Sequence, residues 1–333
     1  MQKKHDGCMN DSSRARKVLR RAAALFLLAG CATLAQAWPD KTVRIIVPYP
    51  PGGGTDIVAR LVAEKLQAAI GQTVLVENRA GANGVIGSEA VARSPADGHT
   101  LAVVTGTHVL NSLMMKKVPF DPIKDFAAVS ILASSPMVFV GGNDQPFKNV
   151  RELVAHARAN PGKVAIGNSE SATMLSGEMF KSLAKVEMTQ VAYKGGGLLM
   201  TDIMGGHIPL GVTSGLTALP HQKAGKLRVL AVGSKVRTAS MPDVPSMTEA
   251  GVAGFEATSW YALLAPAGTA KDITTRIARE VATIMQDAVV KARIVGLGGD
   301  AMGLGNEETA AFLIAERARW TKVVQDAGIQ PAE

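Results

Sequence analysis

From about residue 41 onward the chain alternates short apolar runs with amphipathic stripes. Residues 43–49 (VRIIVPY) are a run of buried-strand type. After them Ile57, Val58, Leu61, Val62, Leu66, Ala69 and Ile70 recur at i, i+3, i+4 spacing, the period of a helix with one buried face. Gly71 is placed to close that helix in the left-handed region. Further strands are predicted over 73–78, 99–105, 129–142, 163–168, 189–193, 208–214 and 227–233. Helices are predicted over 83–93, 150–159 with Asn149 as N-cap, 174–184, 198–204, around Leu219, and over 272–285, 287–296 and 307–327. The alternation predicts an α/β protein with a mostly parallel sheet and helices on both faces. The order of strand, Gly- or Ser-rich loop and helix occurs at 47–57 and again at 165–176. Two α/β lobes whose strand-to-helix loops face each other would enclose a ligand cleft.

The first 37 residues break this pattern. Residues 14–21 (RARKVLRR) are basic, 22–34 (AAALFLLAGCATL) are apolar, and Ala35-Gln36-Ala37 is a small-residue cleavage site before Trp38. This three-part order predicts an export signal cleaved after Ala37 and a periplasmic protein. The apolar run is too short to remain as a membrane span. Leu28-Ala29-Gly30-Cys31 resembles a lipobox and offers the alternative of a chain anchored by lipid on Cys31.

Charge changes the picture only until it is located. The net charge is +8, but seven basic residues against Asp6 and Asp11 put +5 of it in the first 37 residues. The rest is an ordinary soluble surface, so nucleic acid is not an expected partner. Cys8 and Cys31 are the two cysteines, which excludes a disulfide scaffold and a multi-cysteine metal site. No cofactor or metal is expected.

Candidate chemistry sits in the loops. Pro48 to Asp56 (PYPPGGGTD) leaves a strand and enters a helix. Gly52, Gly53 and Gly54 let successive N–H groups converge, and the helix N-terminus adds free donors, so an anion cradle needs no basic side chain. The other reading of this loop is a tight turn in which Thr55 or Asp56 caps the helix. The spacing matches neither G-x-x-x-x-G-K-[ST] nor the dinucleotide fingerprint, which would need Gly where Ile57 stands. Gly81 to Gly87, with Asn83, opens a second helix, and Thr105-Gly106-Thr107-His108 follows a strand end. Asn168, Ser169, Glu170, Ser171 and Thr173 form a hydroxyl-rich loop before another helix. Gly167 to Ser171 narrowly misses the hydrolase elbow G-x-S-x-G, and His99, His108, His156, His207 and His221 are scattered, so no catalytic triad assembles on spacing. Tyr193-Lys194-Gly195-Gly196-Gly197 follows a strand and precedes a helix, with Lys194 read either as a point charge for a carboxylate or as a solvated side chain. Ser214 ends the 208–214 strand.

Taken together, WPDKTVRIIVPYPPGGGTDIVAR, ENRAGANGVIGSEAVARSPADGHTL, VAYKGGGLLMTDIMGGHI, GKLRVLAVGS, MPDVPSMTEAGVAGFE and YALLAPAGT resemble, in order and spacing, the Bug-type solute receptors of tripartite tricarboxylate transporters. The resemblance implies a type II periplasmic binding protein, with lobe 1 over 38–138 plus 262–333 and lobe 2 over 139–261. It implies a monomer that is not an enzyme, closes like a Venus flytrap on a small carboxylate or amino-acid-like ligand, and passes it to membrane permease subunits. By the same resemblance the ligand is held by loop amides at Tyr49, Gly52 to Asp56 and Asn168 to Thr173, with Asp56 meeting an amino group where the ligand has one. The expected ligand-binding set is completed by Asn83, Thr105, Thr107, Tyr193 and Ser214.

The chain departs from the family in the 166–175 loop, which in these receptors reads close to S-x-G-x-G-S-x-x-H-L. Here the two glycines are Asn168 and Glu170, and the histidine is Met174. Glu170 puts a carboxylate where a carboxylate ligand would dock, and like charges at contact repel. Either it points away or it meets a cationic or hydrogen-bonding part of the ligand. A ligand-sensing subunit for a signalling receptor, and an exported α/β hydrolase with Ser169 or Ser171 as nucleophile, are the alternative functions.

Overall fold

The computed structural model of the protein describes residues 38–326. The expected export signal at 1–37, Cys31 included, lies outside the described residues. The unit that carries the site begins at Lys41.

Strand β1 (Val43–Val47) lies parallel to both β2 (Val74–Asn78) and β3 (Thr100–Thr105). Every residue of β3 is buried, as expected of a parallel strand covered on both faces. Helix α1 (Gly54–Ile70) joins β1 to β2 and buries Val58, Leu61, Val62 and Leu66 on one face. Gly71 ends it at φ 67°, its N–H donating to the Gln67 carbonyl at 3.1 Å. Only glycine adopts that conformation without a Cβ penalty. Helix α2 (Val85–Ala92) precedes β3 and α3 (Thr107–Met114) follows it. The local sequence of 105–108 predicts a loop after a strand end. In the structure Thr107 is already helical, because Val109, Leu110 and Met114 bury an apolar face of α3.

The second half repeats the arrangement. Strand β5 (Ala165–Asn168) lies parallel to β6 (Thr189–Ala192) and to β7 (Leu210–Ser214). Around them stand α4 (Val150–Ala159), α5 (Ser171–Ala184), α6 (Gly196–Met204) and α7 (Gly215–Lys223). Asn149 caps α4 as predicted, accepting from the Glu152 N–H at 2.9 Å.

Strand β4 (Phe126–Gly141) joins the halves. From Phe126 to Pro136 it runs antiparallel to β9 (Thr258–Pro266), and from Met137 onward antiparallel to β7 and to β8 (Arg228–Val232). The strand order is β2-β1-β3-β9-β4-β7-β5-β6. The expectation of a mostly parallel sheet is therefore corrected: the outer strands pair in parallel, the central ones antiparallel. Local alternation carries no strand direction, and β9 arrives at β3 and β4 from more than a hundred residues away.

Helix α8 (Lys271–Gln286), α9 (Ala288–Gly296), β10 (Asp300–Ala301) and α10 (Asn306–Asp326) complete the fold, with β10 antiparallel to β4. Asp287 caps α9 through the N–H groups of Val289 and Val290. On α10 the buried Glu316 accepts from the indole of Trp260 at 2.8 Å and that of Trp320 at 3.2 Å, and pairs with Arg319 at 3.1 Å. Trp260 thus packs within the core. In the second half, Phe139 stacks near Phe180 and Phe255 with centroids 4.8 and 5.5 Å away. Burying each of these side chains is worth about 2–3 kcal/mol. None of the described helices is long and apolar enough to cross a membrane.

Candidate functional site

A cavity of about 710 Å³ opens where the strand-to-helix loops of the two halves meet. That volume suits a small organic molecule. One wall is Pro48, Tyr49, Pro50 and the start of α1 at Gly53, Gly54 and Thr55. A second comes from the 80–84 turn with Asn83. Facing them are Asn168, Ser169, Glu170 and Ser171 at the start of α5, Tyr193 to Gly196, and Thr213, Ser214 and Thr217. Tyr261 of β9, 1% exposed, and Met174 complete the lining.

The expected residues divide. Tyr49, Gly53, Gly54, Thr55, Asn83, Thr105, Asn168, Ser169, Glu170, Ser171, Tyr193 and Ser214 line the cavity; Gly52, Asp56, Thr107 and Thr173 do not. Asp56 is turned into its own loop. Its carboxylate accepts from the Gly52 N–H at 3.1 Å, from Arg60 Nε at 3.0 Å and from Asn78 Nδ2 at 3.0 Å. Burial opposes the charge, but these donors hold the carboxyl below its usual range. With its oxygens so committed, Asp56 is not placed to meet an amino group in the cavity, which corrects that expectation.

The two loops are not equivalent cradles. No side chain of the N-cap residue Gly53 caps α1, although the Gly54 N–H is taken by Thr217 Oγ1 at 3.1 Å. That end therefore presents Gly53 and Thr55 to the cavity with the partial positive charge of a 17-residue helix behind them. At the second loop the Ser169 and Glu170 N–H groups both donate to Thr173 Oγ1, at 3.0 and 3.1 Å. Thr173, in the first turn of α5, closes this ring from within. The expectation of a second open amide cradle is corrected accordingly, and what the loop offers to the cavity is side chains.

Foremost among them is Glu170. Its Oε2 accepts from Thr107 Oγ1 at 2.9 Å and from Thr105 Oγ1 at 3.0 Å, two hydroxyls supplied by the other half of the molecule. The Thr105 hydroxyl also lies 3.2 Å from the Tyr49 hydroxyl. One proton serves one acceptor, and the charged one is the stronger. Burial raises the Glu170 carboxyl above its usual range against the pull of the two hydroxyls. Burial and the neighbouring Glu170 raise Tyr49 as well. Burial pushes Tyr261 up to about 12, and burial together with the bond to Asp202 at 2.9 Å pushes Tyr193 up to about 12. All three phenols are neutral donors at physiological pH.

Asn83 ties the halves together a second time, donating from Nδ2 to Ser171 Oγ and to Asn111 Oδ1. Ser171 therefore partners two amides and no imidazole. His108 is a core residue, with Ser88 Oγ at Nδ1 and the Pro122 carbonyl at Nε2, both at 3.1 Å. A carbonyl only accepts, so Nε2 carries the proton and Nδ1 accepts from Ser88. Burial lowers its pKa to about 4.

The lining residues Tyr261, Thr217, Gly81 and Met174 lay outside the expected set. Tyr261 had one usable signal, a hydroxyl in the otherwise apolar run YALLAP, which needs a polar partner when buried.

Residues 58–329 match the model of the tripartite tricarboxylate transporter family receptor. Three solved structures are similar along nearly their whole length. A Rhodopseudomonas palustris protein, Rpa4515, determined with adipate, is 34% identical at a TM-score of 0.86, covering 89% of this chain and 100% of its own. The periplasmic binding protein BugD is 28% identical at 0.85, with 89% and 100% covered. MatC from Rhodopseudomonas palustris, with bound malate, is 29% identical at 0.80, with 86% and 100% covered. The fold is thus that of a periplasmic binding protein, two α/β lobes around a cleft.

Proposed function

The chain belongs to the tripartite tricarboxylate transporter family of receptors, and on that premise we propose that it captures a small organic acid between its lobes and hands it to the membrane permease of such a transporter. The observation that carries this reading is the cavity lined from both halves, with the start of α1 on one side and the Asn168–Ser171 loop on the other. A carboxylate at the α1 end would gain hydrogen bonds and the field of the helix without needing an arginine. Adipate and malate in the two Rhodopseudomonas palustris proteins support a carboxylate ligand.

Closure would pivot where β4 changes partners, between Pro136 and Met137, and where the chain rejoins the first half after Ala257, whose carbonyl accepts from the Met137 N–H at 3.0 Å. Lobe 1 is then the part before the first crossing plus the chain from β9 onward. Export to the periplasm through the 1–37 leader completes the reading, in which the protein binds and does no chemistry.

Thermal melting with a panel of mono- and dicarboxylates and amino acids tests it. A ligand bound only by the folded state raises Tm by mass action, by about 2.7 kcal/mol of stability at a hundredfold excess over Kd. A panel that moves Tm nowhere overturns the proposal.

A further inference from the structure

Glu170 is the one acid and Lys194 the one base among the residues lining the cavity. Glu170 does not point away from the site: it lines the cavity, and its Oε2 is anchored there by Thr105 and Thr107. Both hydroxyls sit on or beside the fully buried end of β3, 2% and 0% exposed, so the carboxylate is held by a rigid support. In the capping box of α5 its side chain also takes the Thr173 N–H, and no basic side chain among the described residues pairs with it. Two hydroxyls stabilise a carboxylate but do not neutralise it. The other acid near the first loop, Asp56, is already paired with Arg60 at 2.9 Å. The lining also holds the α1 end and Lys194, an exposed lysine.

A cavity whose lining holds an acid without a basic partner is a poor host for a dianion. A dicarboxylate enclosed here brings two negative charges to a cavity that already holds Glu170, and like charges brought together in a partly dry site repel strongly. A guest with one carboxylate and one ammonium can offer the ammonium to Glu170 and the carboxylate to the donors of the α1 end and Lys194. Taking the receptor reading above as given, we infer that this site is specific for a zwitterionic acid, an α- or ω-amino acid, whose ammonium group is received by Glu170 and whose carboxylate faces the start of α1 and Lys194. Glu170 is then the residue that sets specificity, through a negative element against dianions as well as a positive one for cations.

Calorimetric titration with matched pairs tests this. L-aspartate and malate differ in one substituent, ammonium against hydroxyl. 6-Aminohexanoate and adipate differ in one end, ammonium against carboxylate. The wild-type protein is expected to bind the amino member of at least one pair at least about tenfold more tightly than its partner. Glu170→Gln, isosteric and still able to accept from Thr105 and Thr107, is expected to lose that preference by about tenfold or more. Glu170→Gly, which removes the carboxylate altogether, is expected to favour the dicarboxylate. Tighter binding of adipate or malate than of their amino partners by the wild-type protein overturns the inference and leaves the receptor reading standing. So does an amino-acid affinity unchanged in Glu170→Gln. If no member of either pair, and no other carboxylate, binds the wild-type protein, both readings fall together.

Discussion

The Thr107 hydroxyl donates to Glu170 Oε2 at 2.9 Å, joining two residues 63 positions apart and closing the cleft from opposite halves of the molecule. Thr107 is fully buried at the start of α3, so no water replaces the bond if it is lost. Hydrogen bonds to charged groups are worth about 1.5–3 kcal/mol. Thr107→Val, nearly isosteric, is expected to lower unfolding stability at pH 7 by about 2 kcal/mol, and Thr107→Ser by much less. Urea denaturation measures both, and equal losses in the two variants would show that packing, not the hydroxyl, matters at this position.

The raised carboxyl of Glu170 makes a signed pH dependence. Its folded-state value lies above the ordinary 4.5, so its protonated form suits the unliganded fold better than its ionised form. Below 4.5 the folded and unfolded chains both hold the proton and no cost arises. As pH rises through the window above 4.5, the unfolded chain releases its proton first and stability falls. The Tm of Glu170→Gln minus that of wild type is therefore expected to widen as pH rises from 4.5 towards neutrality. Asp56, Asp97 and Asp121, lowered instead, lose stability as pH falls, but they do so in both proteins and cancel in the difference. A difference that stays flat over this range rules out the argument.

His108 titrates in the opposite sense. Its value of about 4, against an ordinary 6.5, means that the unfolded chain takes up a proton the folded chain refuses. Stability is full above 6.5 and falls as pH drops from 6.5 towards 4, by about 3 kcal/mol in all. The ring sits 5.4 Å from Phe120 and 4.7 Å from Phe126, so nothing nearby offsets the charge. Its imidazole resonances are expected to stay at their neutral positions at pH 5.5. A midpoint near 6.5 would contradict the burial.

Gly87 tests how the cavity wall is held. A Cβ there would come 2.6 Å from the Arg79 carbonyl oxygen and 2.7 Å from Pro48 Cα, both backbone atoms that cannot swing aside. Gly87→Ala is expected to cost about 1–3 kcal/mol of stability. It is also expected to weaken ligand binding, because α2 would push on the Pro48–Tyr49 wall. Unchanged Tm and Kd would mean that this approach is looser than its distances state.

Much of the fold was legible because it rests on local rules. The stripe from Ile57 to Ile70 and its Gly71 stop, the Asn149 cap, and the glycine loop at 52–54 need only helix periodicity and capping chemistry. The α3 helix was missed because Thr105-Gly106-Thr107 reads locally as a loop, and burial of Val109, Leu110 and Met114 overrides that. At the site, residues next to strand ends were found because the α/β layout puts ligands there. Tyr261 was missed because it reaches the cavity from a strand interior, and Thr217, in the first turn of α7, because the reading stopped at Ser214.

Chain order and periodicity were enough to establish alternating α/β elements, two similar halves and loops rich in backbone donors. They also flagged an acid at position 170, but not what it touches. Only the fold decided that β4 and β9 run antiparallel through the centre, that Asp56 is consumed by Arg60 and Asn78, and that Thr173 closes the second loop from within. Only the fold brought Thr105 and Thr107 to Glu170. Local pattern specifies backbone shape, whereas the partner of a polar side chain is chosen by which distant segments pack together, and that choice is what gives this cavity its charge.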